Sequence, residues 1–213
     1  DTLRNVQALA KDAINSSIRR ILQDGQEWPF IKTTTTQTLT AGVTTYSFPA
    51  DYSSSDWDTF YIKQLSSKLN TPAVLKPMPY EEYTQSHRAS DDVAPATGLS
   101  VPTQVFQTYG TTFGVTPVPD AAYEVEYVYW STPASLAVYN DISVIPDRFS
   151  HVVIDGAMMY MMQFRSNAQS AQMHQAAFES GIKAMRNVLM DDTFQMRSTY
   201  VARSGQRTSS GIV

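Results

Sequence analysis

The residues that could carry acid–base, nucleophilic or metal chemistry are few, and their spacing suits none of it. The three histidines are His87, His151 and His174. His151 and Asp155 stand four apart, on one face of a helix, and His174 could join them only from a second helix in suitable register. A metal needs more ligands at short range than that. Ser150 beside His151 has the ingredients of an activated nucleophile, but a helix interior offers no oxyanion hole. The doublets Glu81-Glu82, Asp91-Asp92 and Asp191-Asp192 would point about 100° apart on a helix, so they share no acid–base site. Asp51, Asp56 and Asp58 present hard oxygens for Ca²⁺, off the EF-hand spacing. Phosphate loops, the GxSxG elbow and HExxH are all missing. With no cysteine there is no thiol chemistry and no disulfide. The expectation is a protein that is not an enzyme and holds no metal or cofactor.

The rest of the composition agrees with a structural part. Of 213 residues, 42% are hydrophobic and only 17% charged, which leaves much uncharged surface of the kind that packs against other subunits. Net charge is −4 and uneven. Residues 31–146 carry five basic and eleven acidic side chains, whereas 193–213 carry Arg197, Arg203 and Arg207 and no acid. An acidic body argues against gripping nucleic acid by phosphate neutralisation. No run of about 18 apolar residues suggests a membrane span, and no signal peptide is visible.

The elements that would position these residues follow from periodicity. Leu3, Val6, Leu9, Ala13, Ile14, Ile18 and Ile21 recur at helical spacing over residues 2–24, with Thr2 as a start signal and Gly25 as a stop. Trp28 and Phe30 flank Pro29, which bars continuation, and should plug the junction with the next layer. Residues 31–48 are Thr-rich and read as a hairpin turning at Ala41-Gly42. Strands are expected at 57–65, 73–76, 103–109, 111–116 and 123–130, a short helix at 79–88, and a loop over 89–101. Asp147 opens a helical pair that breaks around 165–168, and a short connection makes the two helices antiparallel. The expected class is α+β. A three-helix bundle (residues 1–30 and 147–192) carries an inserted antiparallel β domain (31–146) with one short helix, and 193–213 form an extended C-terminal arm.

Two stretches stand out as contact surfaces. Met158, Met159, Met161 and Met162 cover most of a helix circumference, so some of that surface must be buried on another element or chain. The segment 193–213 lacks periodicity but spaces Phe194, Met196, Tyr200, Ile212 and Val213 among its arginines, as an arm that orders on a partner would. Pro117 and Pro119, inside "FGVTPVPDAAYEVEYVYW", make a stiff corner between two strands.

The order of these pieces resembles the head-to-tail adaptor (connector) proteins of tailed bacteriophages. A first helix ends in "EWPF", a hairpin ends in "YSFPADY", and a short "PYEEY" helix precedes the strand of "VPTQVFQTYG". The Pro-x-Pro corner follows, and then "STPASL" and "VIPDRFSHVVIDGAMMYMM" return the chain to the helices. The resemblance covers most of the chain. It implies a virion protein that forms a ring, usually a dodecamer, beneath the portal, extends the DNA channel without binding DNA specifically, and offers the tail or nozzle a docking surface. It implies assembly in the host cytoplasm and no membrane contact. By composition the arm (Phe194, Met196, Arg197, Tyr200, Arg203, Arg207, Ile212, Val213) fits the segment that reaches the portal in such proteins, Pro117 and Pro119 would hold a turn facing a subunit or the tail, and Met158, Met159 and Met162 are the subunit or tail contacts read from the helix itself. Acidic channel walls, with Glu124 and Glu126 among them, would repel passing DNA. The alternatives are a β-rich carbohydrate-binding module using Trp57, Tyr61, Tyr83 and Tyr109, or another tail or neck structural protein.

Overall fold

A computed structural model describes residues 2–24, 27–64, 73–97, 99–108, 110–138 and 140–198, and their side chains from 6 to 189 apart from 64 and 94–97. Helix α1 spans Thr2–Leu22. Among the described residues nine strands follow: β1 (Lys32–Leu39), β2 (Thr45–Ser47), β3 (Tyr52–Ser55), β4 (Tyr61–Gln64), β5 (Ala73–Val74), β6 (Lys76–Met78), β7 (Gln104–Gln107), β8 (Thr112–Thr116) and β9 (Tyr123–Ser131). Between β6 and β7 lie α2 (Tyr80–Ser86) and α3 (Arg88–Thr97), and α4 (Ser150–Phe164) and α5 (Ala168–Ser198) come after β9. The class is α+β. Two compact units result, Asp1–Pro29 with Leu136–Val213, and Phe30–Ser135.

In the β unit, strand β9 dominates because its alternation is clean. Tyr123, Val125, Tyr127 and Tyr129 face inward while Glu124, Glu126 and Val128 face out. β9 pairs from Tyr123 to Trp130 with β1, and on its other edge with β4 and β3. This gives a sheet ordered β1-β9-β4-β5, with β3 also on β9. The second sheet is ordered β2-β8-β7-β6, antiparallel except for β6 on β7. Side chains of both sheets meet in one aromatic core that includes Phe48, Phe60, Phe113 and Tyr127. Phe60 stacks on Tyr127 at 4.7 Å, and Phe113 meets both edge-on. Such pairs add about 0.5–1.5 kcal/mol each beyond the area they bury.

Three sequence expectations change here. β1 and β2 do not form a hairpin with each other, because each finds its partner in a different sheet. Gly42 still makes the turn, at φ +79, and the Tyr46 hydroxyl holds it by bonding the backbone of Thr40 and Val43. The strand expected at 57–65 is a 3-10 turn at Trp57–Thr59 followed by β4. Residues 89–97, expected as loop, join Arg88 in α3, so among the described residues the unit carries two α-helices where one was expected. Pro95 disguised it: proline reads as a breaker, yet here it falls in the last turn of a ten-residue helix.

In the helical unit, α1 packs on α4, and α4 on α5. Gly156 on α4 lets all three meet closely. A Cβ there would lie 2.2 Å from Ser17 Oγ and 2.7 Å from the Phe178 ring. Ser17 Oγ donates to the Val153 carbonyl at 3.0 Å in a fully buried bond. Trp28 is wholly buried and its indole N–H donates to the Ile21 carbonyl, satisfying one of the acceptors left over at the end of α1. Residues 136–146, expected with the β part, fall in this unit. The reason is Asn15, whose amide clamps Leu136 from both sides, Nδ2 to the carbonyl at 3.0 Å and Oδ1 to the N–H at 2.9 Å. Residues 193–198, expected to begin an extended arm, continue α5 as helix, while 199–213 lie outside the described residues.

Candidate functional site

Helix α4 is apolar around most of its circumference, and the structure sorts its faces. Val152, Val153, Ala157 and Met159 are buried, whereas Met158, Met161 and Met162 are half-buried. α1 and α5 therefore cover only part of the methionine cluster. Met158 and Met161 line a groove of about 390 Å³, together with Ala10, Ile14 and Ile18 of α1 and Leu136 and Ile145 of the connecting segment. Its lining is mostly aliphatic or thioether, with Ser143, Asp147 and Ser150 as the polar members. Ile154 also lines it and stands 60% exposed.

A second apolar feature belongs to the same unit. Asp141 accepts hydrogen bonds from the N–H groups of Ala137 and Val138, at 2.5 and 2.8 Å, and so closes a tight turn. Those two bonds, Val138's first, hold its carboxyl below the usual aspartate value. The turn presents Val138, and next to it Ile142 at 89% exposure. An isolated exposed aliphatic residue is ordinary. Here a charged side chain braces the turn whose apolar residues point outward. Sequence reading missed the groove because its lining comes from three separated segments. Ile142 also escaped it, since exposure has no local signal.

The Pro-x-Pro corner lies between two strands, as the sequence reading expected. It passes the chain from β8 in one sheet to β9 in the other, with Thr116-Pro117 cis. Val118 and Pro119 are buried, and Pro117 is half-buried. The corner is sewn in by Gly42 N–H to the Pro119 carbonyl and Ser100 N–H to the Val118 carbonyl, both at 2.9 Å. Pro119 thus serves the interior of its own unit and has little surface to offer a neighbour. The half-exposed Pro117 keeps some.

The groups that resembled chemistry find structural partners. His174 Nδ1 lies 3.1 Å from Asp155 Oδ1, tying α5 to α4, and His151 is exposed. Asp51 accepts from the Tyr129 hydroxyl at 3.1 Å, and Asp56 pairs with Lys32 at 3.3 Å, so two of the three candidate calcium ligands are engaged elsewhere. Among the described residues no three His, Asp or Glu side chains could hold a metal, and no helix is long and apolar enough to cross a membrane. Of the aromatic residues considered for sugar binding, Tyr83 is buried and stacked on Phe106 at 3.8 Å, and Trp57 stacks on Phe60 at 5.2 Å. Tyr61 is exposed on β4, and Tyr109 is outside the described residues. Trp57 does border a recess of about 570 Å³ with Met78 and Tyr80, which Tyr61 and Tyr83 do not line. Glu124 is paired with Lys63 at 2.9 Å, a contact that raises the lysine's pKa, while Glu126 is exposed.

The side chains of Phe194, Met196 and Arg197, and residues Tyr200, Arg203, Arg207, Ile212 and Val213 entirely, lie outside the described residues. Only the helical backbone of α5 to Ser198 bears on the arm. Residues 1–205 match the family model described as SU10 adaptor protein. No curated protein matches the chain.

Proposed function

Because the chain belongs to the SU10 adaptor protein family, a family of phage structural proteins, we propose that it forms a head-to-tail ring in the neck of the virion. In this reading the ring is a dodecamer, assembled in the host cytoplasm. It docks under the portal, extends the DNA channel and offers the tail or nozzle its attachment surface, performing no catalysis. The observation that carries the reading is the family match across residues 1–205. The helical unit supports it: the groove with Met158 and Met161, the exposed Ile154 and the braced Ile142 are the uncovered apolar surface an assembling subunit needs. Met162 is half-buried and able to join this surface. Met159 is buried and contributes through packing alone. Residues 193–213, with Phe194, Met196, Arg197, Tyr200, Arg203, Arg207, Ile212 and Val213, are assigned to the portal. The exposed carboxylate of Glu126 is assigned to a channel wall that repels DNA without binding it.

The test is the mass of the purified chain in solution, alone and mixed with its portal, full length and cut after Asp192. The expected result is a chain that joins the portal as a closed ring only when residues 193–213 are present. A full-length chain indifferent to the portal would refute the reading. A cut chain that still forms the ring would remove the arm from it.

A further inference from the structure

Among the described residues the two sheets have five strand edges, because β3 and β4 share one flank of β9, and three are defended in the usual ways. β2 has three residues, β6 three with Pro77 in the middle, and β3 four with a register shift against β9. Short length and proline are how proteins keep edges from pairing with other chains. That leaves the two-residue β5 and, far longer, β1. It runs eight residues in unbroken register on β9, with no bulge and no proline, and its one charge is Lys32 at the end. Thr33, Thr34, Thr36 and Thr38 are exposed, and among the described residues β9 is its sole partner strand. Half the backbone donors and acceptors of such a strand face away from β9 and match another extended chain.

Strand direction identifies that chain. β1, β9, β4 and β5 are joined by three antiparallel pairings, so the edges β1 and β5 run in opposite directions. Copies in a cyclic ring all point the same way and join through unlike surfaces. β5 of one copy beside β1 of the next would therefore continue the antiparallel alternation without a break. The other sheet cannot do this. Its edges β2 and β6 run the same way, because β6 is parallel to β7. Faces match as well. Thr36, Glu126, Tyr61 and Val74 lie in one cross-strand row on the outer face, all exposed, so the row at Val74 continues into Thr36 of a neighbour.

We propose that the free edge of β1 is a subunit interface whose occupant is a second copy of this chain, presenting the β5 edge. The five-stranded sheets would then form a belt around the ring. This rests on the ring reading above and adds to it the surface through which neighbours join.

The chain contains no cysteine, so introduced cysteines can report the contact directly. In one molecule Thr36 and Val74 are three strand spacings apart, roughly 14 Å, too far for a disulfide, which needs Cα atoms about 4.4–6.8 Å apart. Any T36C/V74C bond is therefore intermolecular. The doubly substituted chain is assembled on its portal, oxidised and run on a non-reducing gel. T34C/V74C and T38C/V74C sample the neighbouring registers, and the single variants serve as controls. The expected result is a ladder of covalent multimers from one of the double variants, with no multimer beyond a dimer from the singles. Rings that assemble normally while all three double variants keep free thiols overturn the strand pairing and leave the ring reading standing. A wild-type chain that forms no ring on its portal removes the ring reading, and this pairing with it.

Discussion

Gly156→Ala sets helix propensity against packing, and the structure decides the sign. In an exposed helix the change would stabilise by about 1 kcal/mol, since glycine is a poor helix former. At this position the new Cβ would sit 2.2 Å from Ser17 Oγ and 2.7 and 2.9 Å from the Phe178 ring. Phe178 is buried and cannot swing into solvent. Overpacking of this kind costs about 1–3 kcal/mol. Driving Ser17 off the Val153 carbonyl removes a buried hydrogen bond, at about 1 kcal/mol more. The net expectation is a loss of about 1–3 kcal/mol, with Tm falling by about 2–4 °C per kcal/mol for a chain of this size. Urea unfolding followed by circular dichroism measures the first, and a thermal melt the second. Combining Ser17→Ala with Gly156→Ala separates the causes, because removing Oγ opens part of the space. The double variant should be less destabilised than the sum of the singles. A Gly156→Ala chain as stable as the wild type, or additivity in the cycle, would refute this account of how α1, α4 and α5 meet.

Other outcomes follow from the same structure. Burial first, with Asp91 and Asp92 adding, pushes Tyr83 up to about 12, and burial with the Asp120 bond does the same for Tyr123. Their folded pKa values exceed the ordinary value of 10.0. The stability they contribute is therefore complete below pH 10 and lost as pH rises from there toward 12. Absorbance at 295 nm should show these tyrosines ionising together with unfolding, and a stepwise titration of a folded chain would contradict their burial. For Asp141 the sign reverses: its lowered pKa makes the turn at 137–141 firm above the ordinary value of 3.8 and lost as pH falls below it, which amide exchange at Ala137 and Val138 would report. Ile154→Asp should leave the melting temperature of the isolated chain within a degree or two yet abolish assembly on the portal. Unchanged assembly would exclude that face from the interfaces.

Fold class was legible because the informative periodicities are local. The alternation in Tyr123–Ser131, the helical spacing of α1, α4 and α5, and the break at 165–167 depend on neighbours within a few residues. The composition and the missing motifs pointed away from chemistry, and the order of elements pointed to the adaptor family. Which strands pair was not legible. Thr34 opposes Val128 across 94 residues of chain, and only the shared aromatic core decides that β1 joins β9 while β2 joins β8. α3 stayed hidden because Pro95 looks alike in a loop and in a last helical turn. Exposure is equally nonlocal: Met159 and Met161 are two residues apart in sequence, yet one is buried and the other lines a groove. Sequence by itself determined most of the elements and the kind of protein, since propensity and patterning act over a few residues. The tertiary structure alone decided which apolar side chains were left uncovered and which strand edge was left open, because both depend on what the rest of the chain has already covered.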